Sequence, residues 1–286
     1  MADKKNLTPR IACTMSGNKL TAKHLASQSG FENQHPLVNP VLGVGMLSSV
    51  YELQQAIEND TGCASVSFSC TQFETGIFST IAMIKAWHLQ YSEATKTEFI
   101  FIGDVAQIET VTGQIEFDLK SPPRAVTSVD RPWARLNCGD KTAAVFLFPP
   151  QDVEFTAADV AWIVDRVHYC GGLIVADSSV CRLLKRSNFK SEDLIDLYLL
   201  DLCRLFDLPG SGPQTECCAL AASEQLAPFL PVPRLISNDS LVRWSEDHEY
   251  PDSIGRTSVF GASRFDLLSL AIELQLGSTG LQVDKA

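Results

Sequence analysis

Nowhere in the 286 residues does an apolar run reach the roughly 18 to 20 positions that a membrane-crossing helix needs, because charge or proline interrupts each one. No charged-then-apolar leader follows Met1. Together these absences give a cytoplasmic location and no membrane partner as the expectation. Basic side chains are also few: 23 Lys and Arg face 34 Asp and Glu, a formal charge of -11 that disfavours any grip on nucleic-acid phosphates. The nine cysteines form an odd set with no C-x-x-C pair, and no histidine stands at metal-ligand spacing. That leaves reduced thiols packed as small hydrophobes, and no metal. Internal repeats and low-complexity segments are missing as well.

What is present suits an ordinary globular chain: 45% hydrophobic and 20% charged residues can build one large domain or two unequal ones. Residues 1–45 read as an extended arm, polar and irregular to about Pro40. The rest, 46–286, reads as one α/β domain. Leu47, Val50, Leu53 and Ile57 recur at helical spacing before Asn59-Asp60-Thr61-Gly62, where the glycine predicts a helix stop. A second helix is expected from about Gln72 to His88, with Ile77, Ile81, Ile84 and Trp87 on one stripe. Three apolar runs, Glu98–Gly103, Ala143–Phe148 and Gly172–Asp177, read as buried strands. Between the last two, Thr156 and Asp159 form a capping-box start, and Val160, Ile163, Val164 and Val167 share a face up to Gly171-Gly172. Strand, helix, strand in that order predicts a right-handed parallel crossover. Asp196–Leu202 and Glu216–Ala222 read as two more strands, 237–258 as a long loop, and Arg264–Leu276 as a closing helix.

The most telling stretch runs from Asp196 to Pro213: Asp-Leu-Tyr-Leu-Leu-Asp-Leu-Cys-Arg-Leu-Phe-Asp-Leu-Pro-Gly-Ser-Gly-Pro, with Cys203-Arg204 at the end of its strand. It resembles the cofactor-lysine segment of the glycine decarboxylase P-protein family, pyridoxal-phosphate (PLP) enzymes of the glycine cleavage system, in which a His-Lys pair stands at that place. The resemblance keeps its order through Cys13-Thr14-Met15, His35-Pro36, Glu52 to Gly62, Gln72 and Glu74, Val167 to Gly172, Asp177, Leu226 to Pro231, Phe260 to Ser263 and Gly277 to Leu281. It implies a fold-type I architecture: a three-layer α/β/α large domain around a mostly parallel seven-stranded sheet. It also implies that the small C-terminal domain of the family is absent and that the chain corresponds to the second, catalytic half of a long P-protein.

Position by position, the resemblance implies a vestigial pocket at Asp177, Arg204, Cys203, Gln107, Ser69 and Thr71. Asp177 matches the aspartate that pairs with the pyridinium nitrogen, although a carboxylate there can equally cap the following turn. Phe68-Ser69-Cys70-Thr71 stands where the family has a glycine-bearing phosphate turn, so phosphate affinity should fall while Ser69 and Thr71 retain hydroxyl donors. Gln107 replaces a stacking histidine, and Phe148-Pro149-Pro150-Gln151-Asp152 replaces a Pro-Ser-Thr-His-Gly stretch. Arg204 replaces the imine-forming lysine, and a guanidinium keeps its proton where an imine needs a free amine. Lys85, Lys141, Lys185 and Lys190 are the possible substitutes; the cluster around Lys185 and Lys190 reads as a solvated face. The expectation is therefore a catalytically inactive, P-protein-like binding or regulatory scaffold without PLP, pairing with itself or with another protein. One alternative is PLP-independent chemistry in the same cleft, with Arg204 anchoring a small anion and Cys203 or Asp177 as reactive groups. The other is residual glycine decarboxylase chemistry. His168, in the last turn of its helix, is read as structural.

Overall fold

The computed structural model describes residues 44–70, 73–91, 96–103, 124–126, 136–149, 155–187, 194–205, 217–238, 241–257 and 264–278. Among these, helix α1 covers Val44–Thr61 and buries Leu47, Val50, Leu53 and Ile57, the stripe that the spacing marks. Gly62 ends it at φ 71, a left-handed conformation that only glycine adopts without strain. Strand β1 (Ser65–Ser67) leads to α2 (Phe73–Tyr91), then to β2 (Glu98–Gly103), β3 (Arg124–Val126) and β4 (Thr142–Phe148). Helix α3 (Ala157–Tyr169) starts from the Thr156–Asp159 capping box, with both reciprocal bonds formed. After it come β5 (Leu173–Asp177), α4 (Ser178–Arg186), β6 (Leu197–Asp201), the single turn α5 (Leu202–Leu205) and β7 (Cys218–Ala222). A hairpin of β8 (Leu235–Asn238) and β9 (Leu241–Trp244) and the helix α6 (Arg264–Ser278) complete the described chain.

Seven strands form one sheet in the order β1-β7-β6-β5-β4-β2-β3. Neighbours from β6 to β3 are parallel, whereas β7 runs antiparallel to both β6 and β1. The strand period of two divides the apolar side chains between two cores. Val145 and Leu147 of β4, with Ile174 and Ala176 of β5, face one core with α1, α3, α4 and α6. Phe146 and Phe148, with Val175, Leu197 and Leu199, face the other with α2. The result is the three-layer α/β/α arrangement that the resemblance implies.

Two expectations need correction. The segment 237–258, read as a long loop, holds part of the β8–β9 hairpin and a 3-10 turn at Asp247–Glu249; the strands are four residues long and mix apolar with polar side chains, too short to show a period. The strand before Cys203-Arg204 ends at Asp201, so that pair sits in a helical turn, not at a strand end. The proposed arm, apart from Val44 and Gly45 at the start of α1, falls outside the described residues.

Candidate functional site at the carboxyl edge of the sheet

Strands β1, β2, β4, β5 and β6 all point the same way, so their carboxyl ends share one edge, where doubly wound sheets place their ligands. Asp177 is the last residue of β5, in register with Leu199 of β6. Two residues past Leu199 the chain turns into α5, and the Ser178 hydroxyl donates to the Asp201 carbonyl at 3.0 Å, tying the two strand ends together. Asp177 and the backbone of Cys203 and Arg204 thus lie on the same edge. The side chains of Cys203 and Arg204, and the whole of Gln107 and Thr71, fall outside the described residues.

Asp177 does the work of a helix cap. Its Oδ1 accepts from the Ser179 N–H at 3.0 Å, the Val180 N–H at 3.1 Å and the Ser179 hydroxyl at 2.5 Å. These bonds fill donors that the first turn of α4 leaves open. Ser69 is 1% exposed, and its hydroxyl faces protein carbonyls. It lies 2.8 Å from the Ser67 hydroxyl and 3.4 Å from the carbonyls of both Pro231 and Pro233, while Ser67 donates to Pro231 at 2.9 Å. The two serines fasten the segment after β7 alongside β1. Phe68 between them is buried at 2% exposure.

The candidate lysines are elsewhere. Lys141 stands in the turn before β4, at the opposite edge, and Lys85 lies in the later half of α2, which leads away from Asp177. Lys185, at the end of α4, pairs with Asp60 at 2.6 Å; Lys190 is outside the described residues. Most of the described thiols are buried. Burial pushes Cys63 and Cys181 up to about 12 and Cys70 up to about 11, and Cys217 and Cys218 are buried in or beside β7.

One cluster was not visible as such in the sequence. At the amino edge of the sheet, Asp196 is 5% exposed and accepts from His168 Nε2 at 2.8 Å, from the Ile174 N–H at 2.7 Å and from Gln225 at 2.5 Å. The bond from Asp196 raises the pKa of His168 against the opposing effect of burial. An open groove of about 750 Å³ passes this cluster, bordered by Gly62, Trp87 and Ser223 as well. It lies at the amino end of the strands, away from the carboxyl edge where doubly wound sheets place their ligands. His168 and Asp196 are 28 residues apart in the chain, and no spacing rule joins them. Among the described residues no group of three or more His, Cys, Asp and Glu is placed to hold a metal ion, and no helix is long and apolar enough to cross a membrane.

Over 280 residues the chain is 29% identical to the probable glycine dehydrogenase (decarboxylating) subunit 2 of Legionella pneumophila strain Paris, covering 96% of this chain and 58% of the relative. The protein of the same description from Methylococcus capsulatus is 30% identical over 278 residues, 96% of this chain and 57% of the relative. The chain therefore spans somewhat over half the length of the curated relatives it matches. None of the protein-family models matches the sequence. Among solved structures, a glycine decarboxylase (P-protein) of the glycine cleavage system in inhibitor-bound form is similar at a TM-score of 0.63 and 14% identity, covering 90% of this chain and 58% of that one. An aminotransferase of Bacillus anthracis is similar at a TM-score of 0.52 and 13% identity, covering 91% and 60%. Along nearly its whole length, then, the chain is similar in sequence to the glycine dehydrogenase (decarboxylating) subunit 2 proteins, and its α/β fold is the one seen in the solved glycine decarboxylase P-protein and in fold-type I PLP enzymes.

Proposed function

We propose that the protein is a P-protein-like scaffold that has given up covalent PLP chemistry and acts by binding another protein. Arg204 carries this reading. It stands in the first turn beyond β6, on the edge that holds Asp177, where the resemblance puts the imine-forming lysine. A guanidinium is protonated throughout the range in which proteins fold, so it has no lone pair to attack an aldehyde carbon. Lys85, Lys141 and Lys185 do not reach this edge by their place in the fold, and Lys185 is held by Asp60.

The surroundings support the same reading and fit the cofactor poorly. A phosphate needs donors, but the hydroxyl of Ser69 faces the Pro231 and Pro233 carbonyls. A pyridinium nitrogen needs a carboxylate, and Oδ1 of Asp177 is occupied with the start of α4. The partner implied by the family resemblance is a second copy of this chain or an intact homologue. The activity in the relatives' names, glycine dehydrogenase (decarboxylating), is that of proteins of which this chain spans 57 to 58%.

Mixing the purified protein with PLP tests the reading. The expected spectrum lacks the visible band of a protonated aldimine, and borohydride traps no adduct. Arg204→Lys alone is expected to restore neither the band nor glycine decarboxylation. A borohydride-sensitive band in the unaltered protein would overturn the proposal, and recovered decarboxylation in Arg204→Lys would show that a single substitution separates it from an enzyme.

A further inference from the structure

Arg234 is a charged side chain at 3% exposure with no carboxylate in hydrogen-bond contact among the described residues. Its guanidinium lies over the ring of Tyr250, 3.9 Å from the centroid. Nη2 donates to the Pro228 carbonyl at 2.9 Å and the Leu230 carbonyl at 2.8 Å. A guanidinium offers five N–H donors, so these two bonds leave three; Nε is enclosed without any acceptor. Burial lowers the pKa of Arg234 to about 10. A buried guanidinium whose Nε has no acceptor and whose Nη1 has no protein partner among the described residues is costly to enclose, and a ligand site beside it is one explanation.

Arg234 borders a cavity of about 380 Å³ together with Ser65, Glu224, Tyr250 and Asp252. Glu249 borders it too, but Arg243 holds both its oxygens, at 2.6 and 2.9 Å. Glu224 and Asp252 are exposed and form no ion pair among the described residues. The cavity therefore has one buried cation in its wall and two uncommitted carboxylates at its rim. A simple anion would meet the guanidinium but be repelled at the rim, and a simple cation would leave the guanidinium unmet. A small ligand with one charge of each sign satisfies both. We propose that this cavity binds a free α-amino acid with a small side chain, its carboxylate on Nη1 of Arg234 and its ammonium between Glu224 and Asp252. The site is separate from the edge with Asp177: Ser65 is the first residue of β1, at the opposite end of the sheet.

Calorimetric titration of the full chain tests this, with L-alanine as the probe, propionate and isopropylamine as its two halves, and N-acetyl-L-alanine as a stand-in for a peptide C-terminus. Saturable binding of L-alanine at millimolar concentration is expected, with each of the other three weaker by roughly tenfold or more. Arg234→Met should abolish binding. Because that variant also loses the Pro228 and Leu230 contacts, Glu224→Gln/Asp252→Asn is the second: it changes only exposed groups, so it should leave the melting temperature unchanged and weaken L-alanine several-fold. Arg204→Ala should leave the affinity as it is, which separates this site from the other edge. No saturable binding of L-alanine, equal binding of N-acetyl-L-alanine, indifference to the rim substitutions or loss with Arg204→Ala would each overturn the assignment.

Discussion

Two histidines give this protein opposite responses to pH. His168 has its pKa raised, chiefly by the hydrogen bond to Asp196, so the folded state binds a proton more readily than the unfolded chain. Its contribution is fully present below the unfolded value of about 6.5 and is lost as pH rises through the higher folded value. His88 is buried and donates from Nε2 to the Ala143 carbonyl at 3.0 Å; burial lowers its pKa. Its contribution is present above about 6.5 and is lost as pH falls through the lower folded value. The two substitutions should therefore diverge in urea unfolding. His168→Gln should narrow the gap from the parent protein as pH rises from 5 to about 8, and His88→Gln, which keeps a donor for Ala143, should remove part of the acid sensitivity. Parallel pH profiles for both variants would contradict these assignments.

At the scale of elements, α2 packs tightly on the sheet at Gly76. A Cβ built on Gly76 of α2 falls 2.3 Å from a terminal methyl of Leu199, which is fully buried in β6. Gly76→Ala gains helix propensity but drives a methyl into a filled core, and the second effect is larger, at about 1 to 3 kcal/mol against less than about 1. A lower urea midpoint is expected, and Leu199→Ala in the same chain should recover part of the difference. How much of each element the sequence reveals follows from its length and chemistry. Strands β2 and β4 stand out because the unbroken apolar runs Phe99–Ile102 and Ala143–Phe148 have few other uses, and α3 announces its start through Thr156 and Asp159. Strand β1 is three residues with two serines, and its meaning lies in Pro231, 164 residues from Ser67. The reversal of β7 is equally hidden, since a buried strand reads the same in either direction. The site divides the same way. Asp177 is legible from its place at a strand end, whereas the link from His168 to Asp196 and the unmet donors of Arg234 exist only once distant segments are packed together.

For the whole molecule, the formal charge of -11 keeps copies apart at low ionic strength, so self-association must rest on apolar contact and should strengthen with salt. The described surface offers two places for such contact: α3 exposes Trp162 and Tyr169, and α2 exposes Leu89 and Tyr91. At the β1 end of the sheet, the hydroxyls of Ser67 and Ser69 hold the segment after β7 against that edge strand.

The lone reversed strand β7 carries the polypeptide across the sheet, so the Asp177 cap and the Arg234 wall sit at opposite ends of strands about 17 Å long. At that separation their energetics are independent. Asp177→Ala should cost about 1 kcal/mol through its lost cap, and combining it with Arg234→Met should yield the arithmetic sum of the two single losses within about 0.5 kcal/mol. Such a double-mutant cycle closing near zero would mean that one rim of this scaffold is free to drift without taxing the other.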